Sequence, residues 1–356
     1  MSSRFTIDAE GRLPLPWIEA PLARALASGR SHALLLCAAP GAGALALALS
    51  LAQSRLCESP RPAGIACGRC GSCRLVLAQG HPDLFVLLPE VDRRETGWLL
   101  GDDKPDGDEG KRKPSRQIRI DDVRGLLDWV TKTSAQGRGK MVVLHPAEAL
   151  NHHAASALLK TVEEPPPGTR LVLTCSDAMH VMPTVRSRCQ QLMMPAPDRA
   201  SAAAWLAEQG VAQPEVMLAA CDGRPLEVLG LQQRGVDADR WAALPGQLVA
   251  GRPGVLAGAG VAQACEMLLK VCHDAMAEVA GGTGRYFAPG SLPADLSLAS
   301  LVRWHRELQR LARAAEHPWH EALAIDTLVS GAARALSPGP GAVAGRPRAA
   351  AARPGD

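Results

Sequence analysis

Residues 31–56 read SHALLLCAAPGAGALALALSLAQSRL, and residues 57–73 continue directly as CESPRPAGIACGRCGSC. The first part has a strand, loop, helix order: His32 to Leu36 form a short buried-strand pattern, Ala38 to Gly43 a small-residue loop, and Ala44 to Leu56 an apolar helix. The loop has the outline of a phosphate-binding loop without its chemistry. Such a loop needs glycines so that backbone N–H groups approach phosphate, a lysine for the β- and γ-phosphates, and a serine or threonine for magnesium. Gly41 and Gly43 keep the turn, but Ala44 stands at the lysine position and Leu45 at the hydroxyl position. Taken alone, the segment also reads as a plain strand-to-helix turn.

The cysteines that follow, Cys57, Cys67, Cys70 and Cys73, include two C-x2-C steps that share Cys70. Four thiolates so spaced can converge on one tetrahedral ion at about 2.3 Å each, and an all-thiolate set favours a closed structural zinc over a catalytic one. Gly64, Gly68 and Gly71, with Pro60 and Pro62, suit the tight turns of such a knuckle. His81 is a possible substitute ligand, although in His81-Pro82-Asp83 it fits better as part of a turn before a strand. Arg61, Arg69 and Arg74 open a second reading, a zinc-dependent DNA-binding module. It lacks the interleaved aromatics or recognition helix that would carry it.

Outward from this segment, the alternation continues. Apolar strands are expected at 84–88, 141–144 and 171–175, and helices at 73–80, from Asp121 as cap through Val130, and at 151–164, the last stopped by Pro165, Pro166 and Pro167. Strands alternating with helices to about residue 195 imply an α/β fold with a parallel sheet covered by helices. The stretch 92–116 is dominated by charged residues, Gly and Pro and is expected to be a solvated, disordered loop. Beyond Pro195 and Pro197 the pattern is purely helical to about Ser330, and 337–356 reads as a disordered, mildly basic tail.

The 356 residues exceed one ordinary core and suggest two or three domains. Hydrophobic residues make up 47% but aromatics only 3%, so the core is built from Ala, Leu and Val and helix should dominate. A net charge of +3, from 39 basic and 36 acidic residues, is too weak to argue for a nucleic-acid surface, so any basic patch has to be local. No apolar run reaches the roughly 18 residues of a membrane span and no N-terminal leader pattern is present, so the protein is expected in the cytosol, without a membrane partner. There, ten cysteines argue for metal or plain burial over disulfides. Cys37, Cys175, Cys221, Cys265 and Cys272 lie in apolar segments and read as small hydrophobes.

Two further features bear on chemistry. The strand at 141–144 should end in an acidic residue to orient magnesium and water, but His145 and Pro146 follow, with Glu148 two places on. Pro183-Thr184-Val185-Arg186-Ser187-Arg188-Cys189 reads either as a solvated turn or as a loop presenting an arginine to a neighbouring subunit's γ-phosphate.

The broken phosphate loop, the inserted cysteines, His81-Pro82-Asp83, the helix end Leu158-Leu159-Lys160-Thr161-Val162-Glu163-Glu164-Pro165-Pro166 and Ser187-Arg188-Cys189 occur in this order. Together they resemble the delta-prime family of the bacterial DNA polymerase III clamp loader. The resemblance covers residues 31–189. It implies an AAA+ ATPase-like domain over 1–197 with a zinc module at 57–73, a helical lid over 198–240 and an all-α collar over 241–336. It also implies a five-membered ring with the ATP-hydrolysing subunits and the delta subunit, acting on the sliding clamp and primed DNA. Arg188 would then act in trans as an arginine finger, positioned by Ser187 and Cys189. The chain would be part of a DNA-directed DNA polymerase without productive ATP binding or ATPase activity of its own. The competing reading within the family group is the ATP-hydrolysing loader subunit, or another AAA+ ATPase, and Ala44 and Leu45 speak against it.

Overall fold

The computed structural model describes residues 4–28, 31–98, 114–314 and 319–337. It divides the chain into two compact units, one running through Trp205 and taking in Arg224–Leu226, the other holding Leu206–Gly223 and the chain from Glu227 onward.

The first unit runs α1 (Glu19–Ala27), β1 (Ala33–Cys37), α2 (Ala44–Leu56), α3 (Gly71–Leu77), β2 (Leu84–Leu87), α4 (Glu90–Thr96), α5 (Ile120–Val130), β3 (Lys140–Leu144), α6 (His152–Glu163), β4 (Thr169–Cys175), α7 (Pro183–Arg186) and β5 (Gln190–Met193). The five strands form one sheet in the order β2-β3-β4-β1-β5, every pair parallel. This is the parallel α/β sheet that the alternating pattern predicts. Strand β1 is buried along its whole length because both sheet faces are covered. Leu34 and Leu36 point into the core formed with the N-terminal segment, α1, α2 and the cysteine segment. Ala33, Leu35 and Cys37 point into the opposite core, filled from α5 and α6 by Val123, Leu126, Ala155, Leu158 and Val162.

The expectation of a disordered loop over 92–116 is corrected at its start. Helix α4 runs to Thr96, Gly97 ends it in the left-handed conformation, and Trp98 is buried. Polar side chains hold this segment: Arg93 pairs with Asp122 at 3.1 Å, and Glu90 accepts from the Ser115 backbone N–H at 3.0 Å. Residues 99–113 of that stretch, and the tail from 338 onward, lie outside the described residues. Asp121 does not cap α5 either; the Asp122 carboxylate accepts from the Arg119 N–H at 3.1 Å, and Asp121 pairs with Arg124.

The second unit is helical: α8 (Arg199–Glu208) and α10 (Pro225–Gln233), both of which begin in the first unit, with α9 (Pro214–Ala220), α11 (Ala238–Ala242), α12 (Leu244–Val249), α13 (Val261–Val279), α14 (Leu298–Arg313) and α15 (Glu321–Ala335). Its core is drawn from one stripe of each long helix, with Leu268 and Val271 of α13, Leu301, Trp304 and Leu308 of α14, and Leu328 and Val329 of α15 all buried. The buried Asp274 carboxylate ties α13 to the loop after it, accepting N–H groups of Arg285, Tyr286 and Phe287 at 2.7–2.9 Å. Among the described residues no helix is long and apolar enough to cross a membrane.

Candidate functional site

The phosphate-loop segment sits between β1 and α2, at the carboxyl edge of the sheet, where open parallel sheets place ligands. Gly41 and Gly43 adopt positive φ of 70° and 103°, which permits the sharp entry into α2. The loop is covered by the chain itself. A Cβ on Gly43 would lie 2.2 Å from Leu15 Cδ1 and 3.9 Å from Leu226 Cδ1, Trp17 Nε1 donates to the Ala42 carbonyl at 2.7 Å, and Leu226 N–H donates to the Gly41 carbonyl at 3.3 Å. Ala42 and Leu45 are buried beneath. Sequence reasoning missed Leu15, Trp17 and Leu226, since Leu226 is 185 positions from Gly41 and no local pattern links them.

At the same edge of the sheet, His145 follows β3, where an acid would orient magnesium. Burial pushes its imidazole down to about 4, partly offset by Glu148, and the neutral ring shares a 2.6 Å hydrogen bond with Thr174 Oγ1. Glu148 is engaged elsewhere, its Oε1 accepting from Ser176 Oγ at 2.7 Å and Asp177 N at 3.1 Å.

The four cysteines converge. Their sulfurs all lie within 4.8 Å of one another, with Cys57 Sγ 3.8 Å from Cys70 Sγ and Cys67 Sγ 4.0 Å from Cys73 Sγ. Ligands at about 2.3 Å from a tetrahedral ion stand about 3.8 Å apart, so the cluster has the dimensions of a four-thiolate site. Backbone N–H groups of Cys67, Cys70 and Cys73 approach Cys57, Cys67 and Cys70 sulfurs at 3.3–3.4 Å, which favours thiolate. At Cys67 burial would raise the thiol, but N–H groups of Arg69 and Cys70 outweigh it and hold the group down to about 6. Burial raises Cys57 and Cys73.

His81 stands outside this group. Its Nδ1 accepts from the Asp83 N–H at 3.0 Å, and its Nε2 lies 2.8 Å from Ser72 Oγ, which donates to the Leu56 carbonyl at 2.8 Å. The histidine thus fastens α3 to the end of α2, and Asp83 accepts Ala135 N, Gln136 N and Ser134 Oγ at 2.7–2.9 Å.

Arg188 follows α7, one-third exposed, and its Nε donates to Glu163 Oε2 at 2.9 Å while Nη1 donates to the Thr184 carbonyl at 3.0 Å. Glu163 is the last residue of α6, so the Glu-Glu-Pro-Pro helix end and the Ser-Arg-Cys turn meet. The quoted motif contains Glu163, but only the fold reveals its partner. Burial pushes the Cys189 thiol up to about 12, so it packs rather than reacts. Cys37, Cys175, Cys221, Cys265 and Cys272 are buried, as expected of small hydrophobes.

The family described as DNA polymerase III, delta subunit, matches residues 18–198, more than half of the chain. The chain belongs to the delta-prime family of the DNA polymerase III clamp loader. DNA polymerase III subunit delta' of Pseudomonas aeruginosa is 38% identical over 220 residues, 61% of this chain and 60% of that protein. The Escherichia coli subunit delta' is 32% identical over 235 residues, 64% of this chain and 62% of its own length. The chain therefore spans about three-fifths of the length of these relatives. DNA polymerase III subunit tau of Escherichia coli is 33% identical over 178 residues, half of this chain and 24% of that protein.

Proposed function

We propose that this chain is a non-hydrolysing, delta-prime-type subunit of a DNA polymerase III clamp loader, contributing to placement of the sliding clamp on primed DNA. Its first unit is of the AAA+ kind, and residues 198–240 and 241–336 serve as lid and collar in a five-membered ring with the ATP-hydrolysing and delta subunits. The observation that carries this reading is the loop at 38–45. It lacks the lysine and the magnesium ligand, and Leu15 and Leu226 pack where a nucleotide would need backbone N–H groups.

Arg188 is the group assigned to chemistry. Its guanidinium would reach the γ-phosphate held by a neighbouring subunit, where it neutralises charge that develops as the phosphoryl group transfers; such fingers are worth about 10³ to 10⁵ in rate. To do so it exchanges the Glu163 carboxylate for phosphate oxygens, one anionic partner for another. Ser187 and Cys189 hold the turn.

Cys57, Cys67, Cys70 and Cys73 would hold a structural zinc ion, whose chemistry is a cross-link between the end of α2 and the start of α3. The sulfur spacing and the N–H groups around it support that assignment.

Equilibrium binding of a fluorescent ATP analogue to the purified chain tests the reading. The expected result is no saturable binding and no turnover under conditions in which the assembled loader hydrolyses ATP. Turnover by the isolated chain would overturn it in favour of an independent ATPase.

A further inference from the structure

A net charge of +3 leaves any basic surface to local arrangement, and the helical unit contains one. Helix α14 carries Arg303, Arg306, Arg310 and Arg313, all four exposed, while Leu301, Trp304 and Leu308 of the same helix are buried. Steps of three, four and three residues put the arginines on one face, opposite the buried stripe. At about 1.5 Å of rise per residue, the row is about 15 Å long.

Among the described residues none of the four is held in an ion pair; Arg303 donates to Ser300 Oγ at 3.2 Å, and the half-buried Glu307 lies on the flank of the row. Like charges three and four residues apart repel, so the row weakens its own helix unless an anion lies along it. Arg310 and Arg313 gain from the negative helix end in the last turn, but Arg303 and Arg306 stand too early for that.

We propose that this face of α14 binds the phosphate backbone of duplex DNA. The proposal rests on the reading of the chain as part of an assembly that works on DNA, and it adds a contact made by the helical unit itself. Guanidinium forks match phosphate oxygens bidentately. One strand of B-form DNA rises about 3.4 Å along the axis per phosphate while it winds around that axis, so a straight row of about 15 Å crosses the backbone and reaches about two to three phosphates. Backbone contacts of this type orient the duplex without reading sequence.

The test is fluorescence anisotropy of a labelled mixed-sequence duplex with the full chain, titrated with salt, for wild type, Arg306→Gln/Arg310→Gln and Arg306→Lys/Arg310→Lys. The sites are exposed and Gln is a good helix former, so circular dichroism should be unchanged. The expected result is a loss of at least about tenfold in affinity for the Gln variant. Its plot of log affinity against log salt should be shallower by about 1.8, the share of two phosphates. The Lys variant should retain most of the binding, since charge is what phosphate needs. Equal affinity and slope in the Gln variant would overturn the proposal, as would a Lys variant as weak as the Gln variant. So would a Gln variant that loses binding to polyglutamate but keeps it to DNA, because the row would then serve an acidic protein. No readout involves ATP, and Arg188→Ala should keep its DNA binding, so this proposal and the finger reading fail separately.

Discussion

Asp83 keeps a charge at 1% exposure because three donors face it, the N–H groups of Ala135 and Gln136 and the hydroxyl of Ser134. Burial alone would raise its carboxyl; those hydrogen bonds reverse the sign and hold it below the ordinary range. His81 is shifted down as well, chiefly by burial, so the native ring stays neutral where a free histidine charges. In both cases the unfolded chain binds protons that the native chain refuses, so stability falls as pH falls. The urea midpoint is expected to drop as pH passes below about 6.5, the ordinary histidine value, and to drop further below about 4, the ordinary aspartate value. In Asp83→Asn the lower step should shrink, with a loss of about 1–3 kcal/mol at neutral pH as the amide meets donors instead of offering a second acceptor. A wild-type midpoint that stays flat from neutral pH down to about 4 contradicts this account.

Helix α2 begins at a glycine with φ of 103°, against which Leu15 packs so closely that a Cβ would lie 2.2 Å from its Cδ1. Leu15 is fully buried and has little room to turn away, so Gly43→Ala should cost about 1–3 kcal/mol in strain and displaced packing, read by thermal unfolding. An unchanged melting temperature would mean that the N-terminal segment does not press on the loop. The same element shows what the chain makes legible. Strands β1, β3 and β4 and helix α2 are built around apolar runs, Ala33–Cys37, Met141–Leu144, Leu171–Leu173 and Ala44–Leu49, that are almost wholly buried, and their pattern alone predicts them. Strand β5 is not legible, because Gln190, Gln191 and Met193 are exposed on a sheet edge that pairs only with β1. Helix α4 hides for a different reason: Glu90, Asp92, Arg93, Arg94, Glu95 and Thr96 are polar, and contacts with Asp122 and Ser115, distant in sequence, hold it. Of the candidate site, the glycines, the cysteines and Arg188 could be picked out by residue type and spacing. Leu15, Trp17, Leu226 and the Glu163 partnership arise only when remote segments meet.

At the scale of the molecule, the chain divides into a sheet unit and a helical unit. The cysteine cluster ties two helices of the sheet unit, and His81, through Ser72, fastens the same joint, so metal removal should be felt beyond the cluster. Elemental analysis is expected to find about one zinc per chain. Chelation, or Cys70→Ser, should lower the melting temperature of the sheet unit by several degrees or more, since binding energy of such sites is folding energy. Finding no zinc would remove the metal assignment and leave the family membership intact. The central claim, that a chain with a disabled phosphate loop acts on a neighbour's nucleotide, is tested most directly in a reconstituted loader by DNA-stimulated ATP hydrolysis with wild type or Arg188→Ala. The account predicts normal assembly with hydrolysis at the served site down by about 10³-fold or more; assembly with unchanged hydrolysis would contradict it.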